Sequence, residues 1–212
     1  ETDRVVASWI EGCNRMDTII VPSLHSKHVL EQTAYKKTDK QGNHIGDVKL
    51  NKPVHILLEG LDVDIFDKTE KSTFNLDSIK EQFCFLSVGH WLQGAHTHDR
   101  KDISGLIQTF LTTFKGTGEK PALLLKTSSA TFSVSDREGM LKKINSIKQA
   151  LNIPTKSLPS IYLLHGDLQP EEMNALYNHS KVKAMVSFTH GEGYGRPLLE
   201  FSVTGKPVFA TN

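Results

Sequence analysis

Cysteine is scarce: Cys13 and Cys84 are the two in 212 residues, and they lie far apart and outside any CxxC pattern. That spacing gives no disulfide framework and predicts free thiols in a reducing compartment. Long apolar runs are missing as well. None approaches the roughly 18 residues that span a bilayer, and the first residues, Glu1-Thr2-Asp3-Arg4, carry no signal-peptide pattern. The expected location is therefore the cytoplasm, with the cytoplasmic face of a membrane as the alternative and peripheral contact as the only membrane contact expected. An excess of one charge is also absent, since 25 Lys and Arg stand against 24 Asp and Glu, a net charge of +1. No basic face is implied, and nucleic acid is not expected as a partner.

What is present is the composition of a folded protein, 38% hydrophobic and 23% charged. At roughly 150 residues per domain, the 212 residues amount to about 1.4 domains, one large domain with a remainder. From residue 54 onward, short apolar runs alternate with helical periods. The runs are Val54 to Leu58, Phe83 to Val88, Ala122 to Lys126, Ile161 to Leu164, Ala184 to Phe188 and Pro207 to Ala210. Between them, Ile103, Leu106, Ile107, Phe110, Leu111 and Phe114 mark one face of a helix. Leu141, Ile144, Ile147 and Leu151 mark a second, and Pro170 opens a third that runs to Tyr177. Strands separated by single helices imply right-handed crossovers and a parallel sheet, so the expected class is α/β, doubly wound and Rossmann-like.

The first fifty residues predict a helix through Val5, Trp9 and Ile10, an apolar run Thr18 to Val21 and a helical stretch with Val29 and Leu30, with no sheet of their own. The polar stretch Tyr35 to Asn51 reads as a linker, which places a domain boundary between residues 50 and 51. The chain lacks an initiating Met and ends in a strand-like segment, Lys206 to Asn212, so it is expected to be part of a longer polypeptide, cut short at its C-terminus.

Chemistry concentrates in Ala184 to Asn212, read as strand, glycine loop, helix and strand. The loop Thr189-His190-Gly191-Glu192-Gly193-Tyr194-Gly195-Arg196 carries three alternate glycines that allow positive φ and close backbone approach, and Pro197 suits the first turn of the following helix. A helix N-terminus there favours an anion such as phosphate, although three alternate glycines taken alone fit a mobile surface turn better. Arg196 stands where the dinucleotide fingerprint needs glycine, and no GKS or GKT occurs, so neither an NAD site nor a P-loop is indicated. Glu192 in the loop and Glu200 inside the helix are expected to face one crevice at the carboxyl end of the sheet, where a carboxylate can accept two hydrogen bonds from a ribose diol. His90, His96 and His98 match no zinc pattern, and no metal is expected. His165 and His190 follow strands and line the cleft or serve as ordinary loop residues.

The segment Glu192-Gly-Tyr-Gly-Arg-Pro-Leu-Leu-Glu200, followed by Gly205-Lys-Pro-Val208 and Ala210-Thr-Asn212, resembles the donor signature of the retaining glycosyltransferases of the GT-B fold, family four or group 1. In those enzymes two glutamates are separated by seven residues, as Glu192 and Glu200 are here. Ile20-Val-Pro-Ser23, Leu58 to Phe66, Phe85 to Gly89, Leu106 to Phe110 and Pro170 to Tyr177 are similar to further segments of the family, in its order. The resemblance implies that residues 1–50 end an acceptor-side N-terminal domain and that residues 51–212 form the nucleotide-sugar-binding half of a two-domain enzyme. It also implies that Glu200 holds the ribose, that Glu192 is catalytic and contacts the transferred sugar, and that Gly193, Tyr194, Gly195 and Leu199 line the donor. Arg100 and Lys101 are then the diphosphate ligands, with His90 where the family often has Arg. The implied substrates are a nucleotide-diphosphate sugar and a saccharide, lipid-linked or other small acceptor, with no cofactor. The competing readings are a sugar-nucleotide epimerase or a phosphorylase on the same architecture, and a non-catalytic nucleotide-sugar-binding module.

Overall fold

The structure, a computed structural model, describes residues 3–69, 72–92, 99–129 and 131–211. It divides into two compact units, Glu1–Gly60 with Gly191–Tyr194, and Leu61–His190 with Gly195–Asn212.

The first unit contains α1 (Ala7–Cys13), β1 (Ile19–Val21), α2 (Leu24–Gln32), β2 (Ala34–Thr38), β3 (His44–Lys49) and β4 (Val54–Ile56). Its core is small: Ile10 of α1, Leu30 of α2, Val21 of β1 and Val54 of β4, with Val48 and Leu50 packed against them. Two features depart from the sequence reading. The apolar run from Val54 was expected to open the large sheet, but its first three residues pair in parallel with β1, from Ile19 opposite Val54 to Val21 opposite Ile56. A short apolar run does not say which sheet it joins, and here the contacts divide the chain after Gly60. The stretch read as a linker is instead an antiparallel hairpin of β2 and β3. Its turn is closed by the Asp39 carboxylate, which accepts from Gln41 N, Asn43 N and Asn43 Nδ2 at 2.8–3.0 Å. Gly42 supplies the positive φ, +88°, that such a turn requires. Most residues of the hairpin are exposed, which is why its composition reads as loop.

The second unit is built on five parallel strands, β5 (Cys84–Val88), β6 (Ala122–Lys126), β7 (Ser160–Leu164), β8 (Val182–Ser187) and β9 (Val208–Ala210), in the order β7-β6-β5-β8-β9. The connecting helices are α3 (Ile103–Thr113), α4 (Val134–Ala150), α5 (Pro170–Asn178) and α6 (Arg196–Ser202). Successive side chains of a strand point to opposite faces, and β6 shows the consequence. Leu123 and Leu125 enter a cluster with Ile103, Ile107 and Leu111 of α3 and Met140 and Ile144 of α4. Ala122 and Leu124 enter another with Leu176 and Tyr177 of α5 and Phe201 of α6. Helices thus cover both faces, so the central strands read as mostly apolar runs. This is the doubly wound, Rossmann-like α/β fold that the alternating runs predict.

The chain builds outward from β5 to β6 and β7, then returns through α5 to place β8 on the other side of β5. Neighbouring loops at the carboxyl ends of β5 and β8 therefore leave in opposite directions. In open parallel sheets that switch point is where ligands bind.

Candidate functional site

Arg100 and Lys101 stand at this switch point, immediately before α3. The carbonyl of Arg100 accepts from the His190 N–H at 2.8 Å and from Thr189 Oγ1 at 3.3 Å, tying the loop before α3 to the segment after β8. The Lys101 stem lies across Gly89, the residue after β5, and a methyl group on Gly89 would approach Lys101 Cε to 3.3 Å. Glycine at 89 thus lets a lysine cross the end of the central strand at close range. Asp102 caps α3 by accepting from Gly105 N at 3.1 Å, in a left-handed conformation with φ 42°. Its Oδ2 lies 3.9 Å from His190 Nε2. An aspartate tolerates that conformation better than most residues and fills the cap that α3 needs. His90 turns towards the loop after β6, its Nδ1 3.2 Å from Ser128 Oγ.

Glu200 sits on the inner side of α6, beside the fully buried Phe201, with its side chain 7% exposed. Its Oε2 accepts from the Tyr177 hydroxyl at 2.9 Å and its Oε1 from Arg196 Nε at 3.2 Å. Burial raises its carboxyl above the ordinary range, against the pull of the Tyr177 hydrogen bond and of the Arg196 charge. The Tyr177 hydroxyl, with no exposure, is pushed far up by burial first and by the Glu200 charge second, so it remains a donor. Each carboxylate oxygen keeps a second acceptor site, so two further hydrogen bonds fit this group. Tyr177 is the functional side chain that the motif reading left out of the site. Its signal was present in the sequence, because a tyrosine on the buried stripe of α5 needs a partner for its hydroxyl.

Of the remaining predicted residues, Gly195 begins α6 at φ 80°, a conformation that favours glycine, and its carbonyl accepts from the N–H of half-buried Leu199 at 3.2 Å. Gly191 and Gly193 do not adopt positive φ, so the freedom expected of three glycines is used at one. Glu192, Gly193 and Tyr194 group with the first unit. There Glu192 is half-buried, Gly193 is exposed and the Tyr194 hydroxyl donates to the carbonyl of Glu59. The structure therefore brings Arg100, Lys101, Gly195, Leu199 and Glu200 into one unit and assigns the other three to its neighbour.

Among the described residues no group of three His, Cys, Asp or Glu side chains is placed to hold a metal ion. His96 and His98 lie outside the described residues, as does Asn212 of the resemblance. No described helix is long and apolar enough to cross a membrane.

No protein-family model matches the sequence, and no curated protein matches it. Solved structures do. The chain superposes on a sucrose-phosphate synthase (tll1590) from Thermosynechococcus elongatus with a TM-score of 0.64 and 17% identity, over 95% of this chain and 42% of that one. An alpha,alpha-trehalose 6-phosphate synthase from Burkholderia multivorans gives 0.57 and 10%, over 96% and 46%. The pneumococcal O-GlcNAc transferase GtfA, solved with UDP and GlcNAc, gives 0.55 and 15%, over 97% and 32%. The chain thus spans less than half the length of each, and at these identities the likeness is one of fold: the structural neighbours are GT-B glycosyltransferases, and the sheet described above is the Rossmann-like kind expected for one half of that fold.

Proposed function

We propose that this chain carries the donor-binding half of a glycosyltransferase that moves a sugar from a nucleotide-diphosphate sugar to an acceptor with retention of anomeric configuration. The observation that carries the reading is the switch point itself. Arg100 and Lys101 are adjacent there, with the backbone carbonyl of Arg100 held by bonds from Thr189 and His190 and the stem of Lys101 lying against Gly89. A buried carboxylate, Glu200, lies in α6, the helix that follows β8, held by Tyr177 with acceptor capacity to spare. Cations match a diphosphate, and a carboxylate with free lone pairs matches a vicinal diol. A nucleotide sugar contains both groups.

In this reading the departing nucleoside diphosphate gains negative charge as the glycosidic bond breaks, and Lys101 and Arg100 stabilise it from fixed positions. Glu200 orients the ribose and Leu199 contributes apolar surface beside it. Glu192 contacts the transferred sugar, and the backbone N–H groups of Gly193, Tyr194 and Gly195 meet the sugar or the diphosphate. Side-chain cations supply the charge, so the step is proposed to run without a metal. The acceptor, a saccharide, a lipid-linked sugar or another small molecule, is assigned to the N-terminal domain of the longer enzyme, and residues 1–50 to the end of that domain.

The test is calorimetric titration and thermal stabilisation with UDP, GDP and ADP and their glucose conjugates. A ligand at a hundred times its Kd stabilises the folded state by about 2.7 kcal/mol, which for a chain of this size raises Tm by about 5–11 °C. Glu200→Ala is expected to weaken the preferred diphosphate by about 1.5–3 kcal/mol, and Glu200→Gln by less, because one acceptor remains. No response to any of the six ligands would remove the reading. In a longer polypeptide, NMR of the product decides retention against inversion.

A further inference from the structure

Beyond the switch point, at the carboxyl edge of β6 and β7, lies a buried group of polar side chains that the functional reading does not use. Asp136, in the first turn of α4, accepts from Ser129 Oγ, from Ser129 N at 3.2 Å and from His165 Nε2 at 2.8 Å. Ser129 belongs to the loop after β6, and His165 begins the loop after β7. The carboxylate and the imidazole are 5% and 4% exposed. A carboxylate only accepts, so His165 Nε2 carries the proton.

The three residue types are those of a hydrolytic triad, but their order excludes that chemistry. In a triad the histidine stands between serine and carboxylate and takes the serine proton. Here the carboxylate is in the middle and receives both bonds, so nothing activates Ser129 as a nucleophile. Helix capping does not explain the carboxylate either, since α4 is capped by Ser133, whose Oγ accepts from Asp136 N at 3.1 Å. The Asp136 carboxylate is directed away from its own helix and onto two loops. Burial without partners would be costly, and three donors offset that cost.

The same loops carry further ties. Lys126, at the end of β6, donates from Nζ to the Gly166 carbonyl at 2.6 Å, with its ammonium 5.3 Å from the centre of the Phe132 ring. Phe132 in turn meets the His165 ring edge-on, with centroids 5.9 Å apart. On the other side, the loop after β6 is joined to the loop after β5. Gly89 N donates to Lys126 O at 3.1 Å and Trp91 N to Ser128 O at 2.8 Å, while His90 Nδ1 lies 3.2 Å from Ser128 Oγ. The three loops are thus tied in sequence: Gly89, beneath Lys101, bonds Lys126 and Trp91 bonds Ser128, the adjoining Ser129 bonds Asp136, and Asp136 bonds His165, while Lys126 separately holds Gly166.

We infer that Asp136 is a positioning residue for nucleoside diphosphate binding: it joins the loops after β6 and β7 from the first turn of α4 and, through the Ser128 ties, holds the loop after β5 under Lys101. The inference rests on the functional reading above. Asp136 reaches no ligand itself, and its effect on affinity comes from fixing the backbone before the ligand arrives, so that less ordering is needed on binding.

The experiment compares Asp136→Ala with Ser133→Ala in the full 212-residue chain. Both substitutions remove a hydrogen bond at the start of α4, but only the first releases the loops. Kd for UDP, GDP and ADP is measured by calorimetry well below the melting temperature of either variant, together with backbone hydrogen exchange. Asp136→Ala is expected to weaken the preferred diphosphate about tenfold or more, the scale of one or two charge-assisted hydrogen bonds, and to accelerate exchange in both loops. Ser133→Ala is expected to lower Tm and leave Kd within about twofold, because an N-cap acts on its own helix. Asp136→Asn, which keeps one acceptor, is expected to fall between them. Should Asp136→Ala not fold, Ser129→Ala removes a single hydroxyl from the same carboxylate and is expected to weaken binding about threefold. Wild-type binding with unchanged Kd in the Asp136 and Ser129 variants overturns this inference alone. A wild-type chain that binds none of the three nucleotides overturns the functional reading, and this inference with it.

Discussion

Tyr177→Phe isolates the hydrogen bond that holds Glu200. The ring of Tyr177 keeps its ring neighbours in the variant, Phe201 at a centroid distance of 5.7 Å and Phe66 at 6.2 Å, because phenylalanine retains the same ring. What is lost is the 2.9 Å bond to Glu200 Oε2, in a place where water does not replace it, since Tyr177 has no exposure and Glu200 has 7%. A hydrogen bond to a charged group contributes about 1.5–3 kcal/mol, so at about 2–4 °C per kcal/mol Tm should fall by about 3–12 °C near neutral pH. The pH dependence gives a sharper test. The folded-state pKa of Glu200 lies above its ordinary value of 4.5, so the folded chain binds this proton more tightly than the unfolded chain does. Stability from this group therefore falls as pH rises from about 4.5 through the folded pKa and is constant above it. Tyr177 is the larger of the two contacts that hold the value down, so removing its hydroxyl pushes the carboxyl higher and deepens the loss above that window. Below about pH 4 the carboxyl is protonated in both states, and the substitution should cost only a neutral hydrogen bond, about 0.5–1.5 kcal/mol. Urea unfolding of both proteins near pH 4 and near pH 7.5 measures the difference. Equal losses at the two pH values would refute the account of Glu200 as a buried, ionisable partner of Tyr177.

Lys101→Ala should weaken binding of a nucleoside diphosphate far more than of the nucleoside, and Arg100→Ala should do so to a smaller degree; equal losses for both ligands in calorimetry would remove the diphosphate assignment. Raising the salt should weaken the diphosphate selectively, because the charges it meets are partly open to screening. Asp102→Asn should be nearly neutral, since asparagine also caps and tolerates φ 42°, whereas Asp102→Ala should cost about 2 kcal/mol through the lost cap and the left-handed backbone; matching denaturation midpoints for the two variants would contradict this. Burial pushes the Cys84 thiol up to about 11, and its side chain has no exposure, so alkylation near pH 8 should modify partly exposed Cys13 and spare Cys84 while the chain is folded, as peptide mass mapping would report.

The sequence alone determined the elements whose evidence is local. The spacing from Ile103 to Phe114 is that of a helix buried on one face, and α3 buries Ile103, Leu106, Ile107, Phe110 and Leu111. The runs at 84–88 and 122–126 are almost entirely apolar, with Ser87 and Lys126 the exceptions, because helices cover both faces of the sheet, and that pattern announces a parallel core. The unit of β8, glycine loop and α6 was legible for the same reason, since each part is marked by its own residues. Tertiary structure decided whatever depends on which distant segments meet. Val54–Ile56 is apolar whichever sheet it joins, and only its pairing with Ile19–Val21 assigned it to the first unit. The hairpin at 34–49 is mostly exposed on both faces, so no alternation marked it. Tyr177 and Glu200 stand 23 residues apart and Asp136 and His165 stand 29 apart, and no periodicity reports such pairs. Arg100 and Lys101 are two charges before a helix until the reversal of strand order between β5 and β8 sets them at the switch point of the sheet. Local pattern fixes a residue's element and its buried face, because side-chain direction follows from backbone period; the partner across the fold is fixed by topology, which sums contacts from the whole chain.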